Sequence, residues 1–305
     1  MDLILHHYDF SNYAEKARLA LGYKGLAWRG VIIPPVAPKP DLAPLTGGYR
    51  RTPVLQVGAD IFCDTRLILR ELDRRKPQPS LYPDGTTALA DMIAYWAEHQ
   101  FFRPMSLYVS GTNSDLLPPE LQADRSRMRD LPLPSAETVQ RAAKRNAPFV
   151  RAQLPTVESL LASGHGWIAG PQVTVADFAV YHPLWFMTAR SQRLAHELTP
   201  YPRIADWMAR MRAFGHGTSS PITAADALDV AAVAQPATPR SSNPFDEDPP
   251  LGSHVRIRAD DYGRDPVEGE LVLVDADEIA LRRNDPRLGD VVVHFPRLGY
   301  DLRQV

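Results

Sequence analysis

Two short segments have the residue types and spacing to hold a small, extended peptide acid. They are Arg51-Thr52-Pro53-Val54-Leu55 and the pair Asp64-Thr65, nine positions after Leu55. Proline has no N–H and begins a strand rather than continuing a ladder, so a strand that starts at Pro53 leaves one backbone edge unpaired. Asp64 and Thr65 stand at the start of a helix, where free N–H groups and the helix dipole favour a carboxylate and the Thr65 hydroxyl adds a donor. The same pair also reads as a plain helix cap, and the two uses are compatible. From the residues alone Pro53 is an ordinary trans proline, because cis bonds are a minority even before proline. No Ser-His-Asp spacing is legible. His6, His7 and His182 lack metal-ligand spacing, so they are assigned to core or interface and no metal is expected. Cys63, the single cysteine, ends a strand and reads as a buried small apolar residue.

The elements that must carry these residues follow from periodicity. Leu3 to His7 is an apolar run suited to a buried strand. After Phe10-Ser11-Asn12, Ala14, Ala17, Ala20 and Leu21 share one helical face, with Glu15, Lys16 and Arg18 opposite. Val31 to Ile33 is a second strand. Pro34 to Pro44 holds five prolines and must be an irregular loop. Pro53–Val57 and Asp60–Cys63 form a hairpin around Gly58, and a helix carrying Leu67, Ile68, Leu69 and Leu72 follows. From about Ala88 the pattern is helical only. Its apolar stripes are Leu89, Met92, Ile93 and Trp96, then Val150, Leu154, Val157 and Leu161, then Ile204, Trp207, Met208 and Met211. Thr174-Val175-Ala176-Asp177 has capping-box spacing with Asp in place of Glu, and Thr223 and Asp226 repeat it ahead of one more helix. The stretch from Gln235 to Pro250 is rich in Pro, Ser, Asp and Glu and reads as a linker. Beyond it the period changes to alternation, with four or five short strands in about 55 residues. That suggests a small barrel or curled sheet, too small to stand alone and expected to dock on the rest of the chain.

Bulk properties narrow the function classes. The chain has 305 residues, 44% of them hydrophobic, and a formal net charge of −2. That length allows two domains and a small third. The charge argues against a nucleic-acid binder, and Arg125, Arg127, Arg129, Arg141, Lys144 and Arg145 read as solvated helix faces. A lone cysteine permits no intrachain disulfide and fits a reducing compartment. The N-terminus lacks signal-peptide character, and no apolar run reaches spanning length, so no membrane partner is expected and the location is read as cytoplasmic.

The first 220 residues resemble a glutathione transferase. Leu3 through Leu21 resembles the first strand, active-site turn and first helix of serine-type members. Arg51 to Leu55 resembles the cis-proline segment, and Asp64-Thr65 the acidic-serine pair. Thr174 to Phe178 resembles the capping box of the buried helix, and Tyr201 to Trp207 the late helix. Each motif alone is weak; five in register over two domains make the resemblance strong. It implies an α/β thioredoxin-like domain at 1–80 and an all-α transferase C-terminal domain at 84–234, usually as a homodimer. A linker at 235–250 and a small all-β, SH3-like barrel domain at 251–305 lie outside the common pattern. Three departures stand out: Ser11-Asn12 replaces Ser-Pro, Thr65 replaces Ser, and the proline-rich Pro34–Pro44 leaves the first domain's second helix absent or distorted.

The resemblance also implies roles. A cis Thr52-Pro53 bond would turn the Thr52 backbone toward the cysteinyl part of glutathione, a case of strand addition. Asp64 would meet the α-amino group, Thr65 the adjacent carboxylate, and Arg51 the glycine end, although Arg51 also reads as a solvated loop residue. The nucleophile would be the bound glutathione thiol, with Ser11 donating a hydrogen bond to it and Tyr8 as the alternative donor; Ser11 also reads as a helix N-cap. His99, Phe102 and Met105 would line a pocket for a small hydrophobic electrophile, unless that cluster is core.

Overall fold

The computed structural model describes residues 2–162 and 164–305, apart from the Arg190 side chain. The first unit runs β1 (Ile4–His7), α1 (Asn12–Tyr23), β2 (Ala27–Ile32), α2 (Ala43–Thr46), β3 (Val54–Val57), β4 (Asp60–Cys63) and α3 (Thr65–Arg75). β1 pairs parallel with β2 and antiparallel with β3, which forms a hairpin with β4. Gly58 turns that hairpin at φ 63, a region closed to most side chains. The proline-rich loop reduces the second helix to the single turn of α2.

The helical unit comprises α4 (Thr87–Trp96), a π-helical turn (Ala97–Phe101), α5 (Phe102–Thr112), α6 (Pro119–Arg127), α7 (Ala136–Leu161), α8 (Val175–Arg190), a 3-10 stretch (Gln192–Leu198) and α9 (Pro202–Arg212). The capping box at Thr174 and Asp177 starts α8. Only half of the stripe expected on α4 faces inward: Ile93 and Trp96 pack on the core beside the buried Ala90 and Ala94, while Leu89 and Met92 are exposed. Small residues let α4 lie close to α8, so packing distance rather than hydrophobicity selects the buried face.

The chain then returns to the first sheet. β5 (Thr218–Pro221) pairs parallel with β2, and α10 (Ala224–Val233) packs in the core under that sheet, although both fall within the 84–234 span drawn from sequence. Five strands follow: β6 (His254–Ala259), β7 (Val267–Val274), β8 (Glu278–Asp285), β9 (Gly289–Pro296) and β10 (Tyr300–Gln304). They form an antiparallel meander in the order β10-β6-β7-β8-β9, and β9 pairs parallel with β4. The added β region therefore continues the first unit's sheet, giving one sheet of ten strands among the described residues. Both edges of the original four-stranded sheet are covered, β2 by β5 and β4 by β9, which removes two open edges from solvent.

Two cores result. One lies between the sheet, α1, α3 and the helical unit; the other joins the opposite sheet face to α10 and the β region. α1 is sandwiched between the sheet and α8. Its end approaches a turn so closely that a Cβ on Gly22 would stand 2.1 Å from the Gly215 carbonyl oxygen. The polar face expected on α1 is therefore not solvated. Glu15, Lys16 and Arg18 are all buried, and each is paired: Arg18 with Glu15, Glu15 with His216, and Lys16 with Glu98.

A buried ionic clamp holds the β4–β9 seam. His294 sits between Glu278 (2.6 Å) and Asp60 (3.1 Å), stacks on Phe62, and Glu278 in turn meets Arg240, which also faces Asp275. Burial alone lowers the His294 pKa, but hydrogen bonds to Asp60 and Glu278 outweigh it and the net shift from 6.5 is upward. Burial likewise raises Glu278, and its bond to His294 with the Arg240 charge brings it below 4.5. The histidine contribution is complete below pH 6.5 and is lost as pH rises through the folded value. The glutamate contribution is present above pH 4.5 and is lost as pH falls. The seam should therefore be tightest between those limits. Exchange of the Val292 amide, which donates to Ala59 O at 3.0 Å, should speed up beyond its intrinsic base catalysis on going to pH 8. His294→Gln should remove that extra dependence, and an unchanged profile in the variant would exclude the clamp.

Candidate ligand cleft

The Thr52-Pro53 peptide bond is cis. β3 begins only at Val54, and the Thr52 N–H and carbonyl make no hydrogen bond among the described residues. The Thr52 hydroxyl accepts from Lys39 Nζ at 2.9 Å. One strand away, Asp64 caps α3: its carboxylate accepts from the Arg66 N–H at 2.9 Å, with its own backbone at φ 71. Local sequence explains both features, a proline that cannot continue a ladder and an aspartate that tolerates a left-handed backbone at a helix start. Arg51, next to the bend, and Asp64, at the helix start, line one cleft.

That cleft is already engaged by the chain itself. Asp64 accepts a second bond from the Tyr300 hydroxyl at 3.1 Å, and Tyr300 also meets the Tyr49 hydroxyl at 3.0 Å. Arg51 donates Nε to the Tyr262 carbonyl at 3.0 Å, pairs with the Asp261 carboxylate and lies 4.3 Å over the Tyr262 ring. Arg51 is thus no solvated loop arginine. Burial alone would lower its pKa, but the facing Tyr300, Tyr262, Tyr49 and Asp261 hold it above its usual value. Thr65 is buried and its hydroxyl accepts from Lys16 at 3.1 Å. What remains between Arg51, Asp64, Glu98, His99, Asp261 and Tyr300 is a cavity of about 30 Å³, room for a water or two and not for a tripeptide.

Ser11 is the N-cap of α1, its oxygen accepting from the Ala14 N–H at 3.1 Å, and it is 5% exposed. Tyr8 packs on Phe10, and its phenol oxygen accepts from Arg125 at 3.0 Å. Arg125 reaches from α6 to the first unit, where it also meets Pro35 O, so it is not a solvated helix-face residue as its position in a basic cluster suggested. Of the three electrophile-pocket residues, His99 stacks on Tyr95 and borders the small cavity. Phe102 packs against Tyr13, His182 and Phe186. Met105 is fully buried in the helical core, so it belongs to packing rather than to a surface that a ligand reaches.

Tyr13 is a cleft residue that sequence reading missed. Its ring lies 4.6 Å from that of His182. Burial, with Tyr262, Glu98 and Asp64 nearby, pushes its phenol well above the usual range, so it stays a protonated donor. An aromatic in the first turn of α1, close after the candidate Ser11, was the available signal. The histidines read as structural are neutral. Burial lowers His6, bonded to Gln56, to about 4; burial and then Arg18 lower His7 to about 4; and burial lowers His182, bonded to Asn12, well below its usual value. Burial, with Asp64 beside it, raises the Cys63 thiol well above its usual value, which leaves it unreactive. Among the described residues no group of three or more His, Cys, Asp or Glu side chains could hold a metal, and no helix is long and apolar enough to cross a membrane.

Comparison with known proteins follows the same division of the chain. The glutathione S-transferase N-terminal domain family matches residues 5–80, and the corresponding C-terminal domain family matches residues 137–210. A GST-like protein from Pseudomonas syringae, known from a crystal structure, is 40% identical over 100% of both chains, with a TM-score of 0.81. The chain belongs to the glutathione transferase family. Full coverage of that relative extends the similarity through the added β region. Two more distant structures show the transferase fold alone. FzlA from C. crescentus is 20% identical over 70% of this chain and 88% of its own, with a TM-score of 0.55. A glutathione S-transferase I bound with lactoylglutathione is 18% identical over 70% and 94%, with a TM-score of 0.53. None of the curated proteins compared matches the chain.

Proposed function

We propose that this transferase-family chain binds glutathione along the Thr52 edge and activates its thiol for attack on a small hydrophobic electrophile. The observation that carries this reading is the unpaired Thr52 backbone at the cis bend, beside the N-terminus of α3. An extended thiol peptide would pair there, with Asp64 meeting its α-amino group, Thr65 and the helix amides its carboxylate, and Arg51 its glycine end. Ser11 and Tyr8 each use their oxygen as an acceptor, from Ala14 and Arg125, so each keeps a hydroxyl proton to donate to sulfur. An ordinary thiol titrates near 8.5, and lowering it by two units takes about 2.7 kcal/mol. One charge-assisted hydrogen bond supplies about 1.5–3 kcal/mol. Phe102 and His99 lie on the helical unit's side, where the electrophile would rest. The protein would act in the cytoplasm as a homodimer, with the exposed Leu89 and Met92 of α4 offering an apolar face for a second copy.

A second reading, a non-catalytic binding protein that keeps the fold, is favoured by one observation: Tyr300 and Asp261 already hold Asp64 and Arg51. Calorimetric titration of the full chain with glutathione, followed by turnover on a panel of aryl halides, separates the two. The enzyme reading expects binding and conjugation, with Ser11→Ala reducing turnover about 100-fold and raising the bound thiol's pKa. An unchanged rate and thiol pKa in Ser11→Ala would move the role to Tyr8, tested by Tyr8→Phe. No binding at millimolar glutathione would exclude the enzyme reading.

A further inference from the structure

We propose that the β region carries an internal strap, the Asp260–Gly263 turn together with Tyr300, that occupies the cleft in place of a peptide acid and must leave before a ligand enters. The proposal rests on the reading of the Thr52 edge as a glutathione edge and names the regulation of that same site. Each strap group matches a group that the ligand would bring. The Asp261 carboxylate meets Arg51 as a ligand carboxylate would, and the Tyr300 hydroxyl donates to Asp64 where an ammonium would. The Tyr262 ring lies on the Arg51 guanidinium and shields it from water.

The two pieces are one unit. The Asp260 N–H donates to the Gly299 carbonyl at 3.0 Å, which ties the turn to the residue preceding Tyr300. The turn is pinned at its far end by the Gly263 N–H on the Met128 carbonyl, 2.6 Å away at the end of α6. Gly263 has φ 58, a backbone conformation that L side chains rarely adopt, so the turn favours glycine there. Gly299, at φ 88 with open space around it, provides a joint on the other side.

The strap can move without unfolding the region that carries it. The β region is anchored by the β4–β9 pairing and the shared apolar core, whereas Asp261 is 43% exposed and held by its pair with Arg51, and Tyr300, the first residue of β10, rests at the margin of that core on Tyr49 and Phe295. Solvent reaches the Asp261 side of the pair and screens it. Tethering nevertheless gives the strap a millimolar-range effective concentration, so a free ligand competes against it at a standing disadvantage. Sequence separation is no obstacle to this, because the tether is the folded sheet itself.

The test uses the full chain with Asp261→Asn and Tyr300→Phe, singly and together, and two readouts. Hydrogen exchange is followed in peptides covering 50–53 and 260–263, and glutathione affinity is measured by calorimetry. The double variant should exchange faster in both peptides and bind glutathione at least tenfold more tightly than the parent chain, with each single variant between. Unchanged exchange in both peptides would overturn the strap whatever the affinities. Faster exchange with equal or weaker glutathione binding than a parent that does bind would overturn the competition and make Asp261 and Tyr300 ligand contacts or bystanders. Faster exchange with no glutathione binding by any of the proteins would support the strap as a cover of the Thr52 edge while overturning the glutathione reading of that edge.

Discussion

Asp177→Ala should destabilise the chain by about 4 kcal/mol, because each buried donor left without a partner costs about 1–3 kcal/mol. Asp177 is fully buried at the start of α8. One carboxylate oxygen accepts from the Ile168 N–H and the Trp207 indole, both at 3.0 Å. The other accepts from the Thr174 N–H at 2.9 Å and the Thr174 hydroxyl at 3.3 Å. Burial pushes the Asp177 pKa upward against the pull of these bonds. One side chain therefore ties the start of α8 to the preceding loop and to α9, and α8 is the helix on which α1 rests. Asp177→Asn keeps one acceptor edge and turns an amide N–H₂ toward two donors, so it should lose roughly half as much. Urea unfolding followed by far-UV circular dichroism reads both variants. If the alanine variant lost less than about 1 kcal/mol, the size of a single exposed cap, the residue would not be the junction described.

Lys16→Ala should be nearly as damaging, by about 3–5 kcal/mol, the usual result of stripping one partner from a buried ion pair. Lys16 is 1% exposed, pairs with Glu98 on the π-helical turn and donates to the Thr65 hydroxyl. It joins α1 and α3 of the first unit to the helical unit, directly beneath the cleft. Removing it leaves Glu98, itself largely buried, without a counter-charge. The paired change Lys16→Met with Glu98→Gln should recover most of the loss, since replacing both partners removes the uncompensated charge. A double-mutant cycle on urea midpoints measures the difference, and additive losses in the two single variants would show that the pair does not act as a unit.

The parts of this molecule that could be read from sequence are those set by neighbours along the chain. The Thr174–Asp177 and Thr223–Asp226 caps, the Gly58 hairpin and the Asp64 helix start each depend on residues within a few positions, and each is found in place. The alternating strands after residue 250 were legible for the same reason, and so was the need for them to dock. Their destination was not. Pairing of β9 with β4 depends on a register some 230 residues away in sequence, Asp60 against Val292, and on a His294 clamp whose three members lie on three different strands. The burial of Glu15, Lys16 and Arg18 was missed because a helix between a sheet and another helix has no solvent face, whatever its periodicity suggests. Met105 was placed in a pocket because an aromatic cluster in sequence does not say which of its members faces inward.

The cleft follows the same rule. The strand start at Pro53 and the Asp64-Thr65 pair were visible because proline and capping chemistry are local, whereas the cis Thr52-Pro53 bond was implied only by the family resemblance. Tyr262 and Tyr300, which close over Arg51 and Asp64, were not, since nothing in a turn such as Asp261-Tyr262-Gly263 names the arginine it will meet 210 positions earlier.

The most direct test is a crystal structure of the full chain grown with saturating glutathione. The account predicts the cysteinyl backbone paired with the Thr52 N–H and carbonyl, the ligand ammonium on Asp64, and Tyr300 and Asp261 withdrawn. Unaltered Tyr300–Asp64 and Asp261–Arg51 contacts, with no ligand along the Thr52 edge at that concentration, would contradict it.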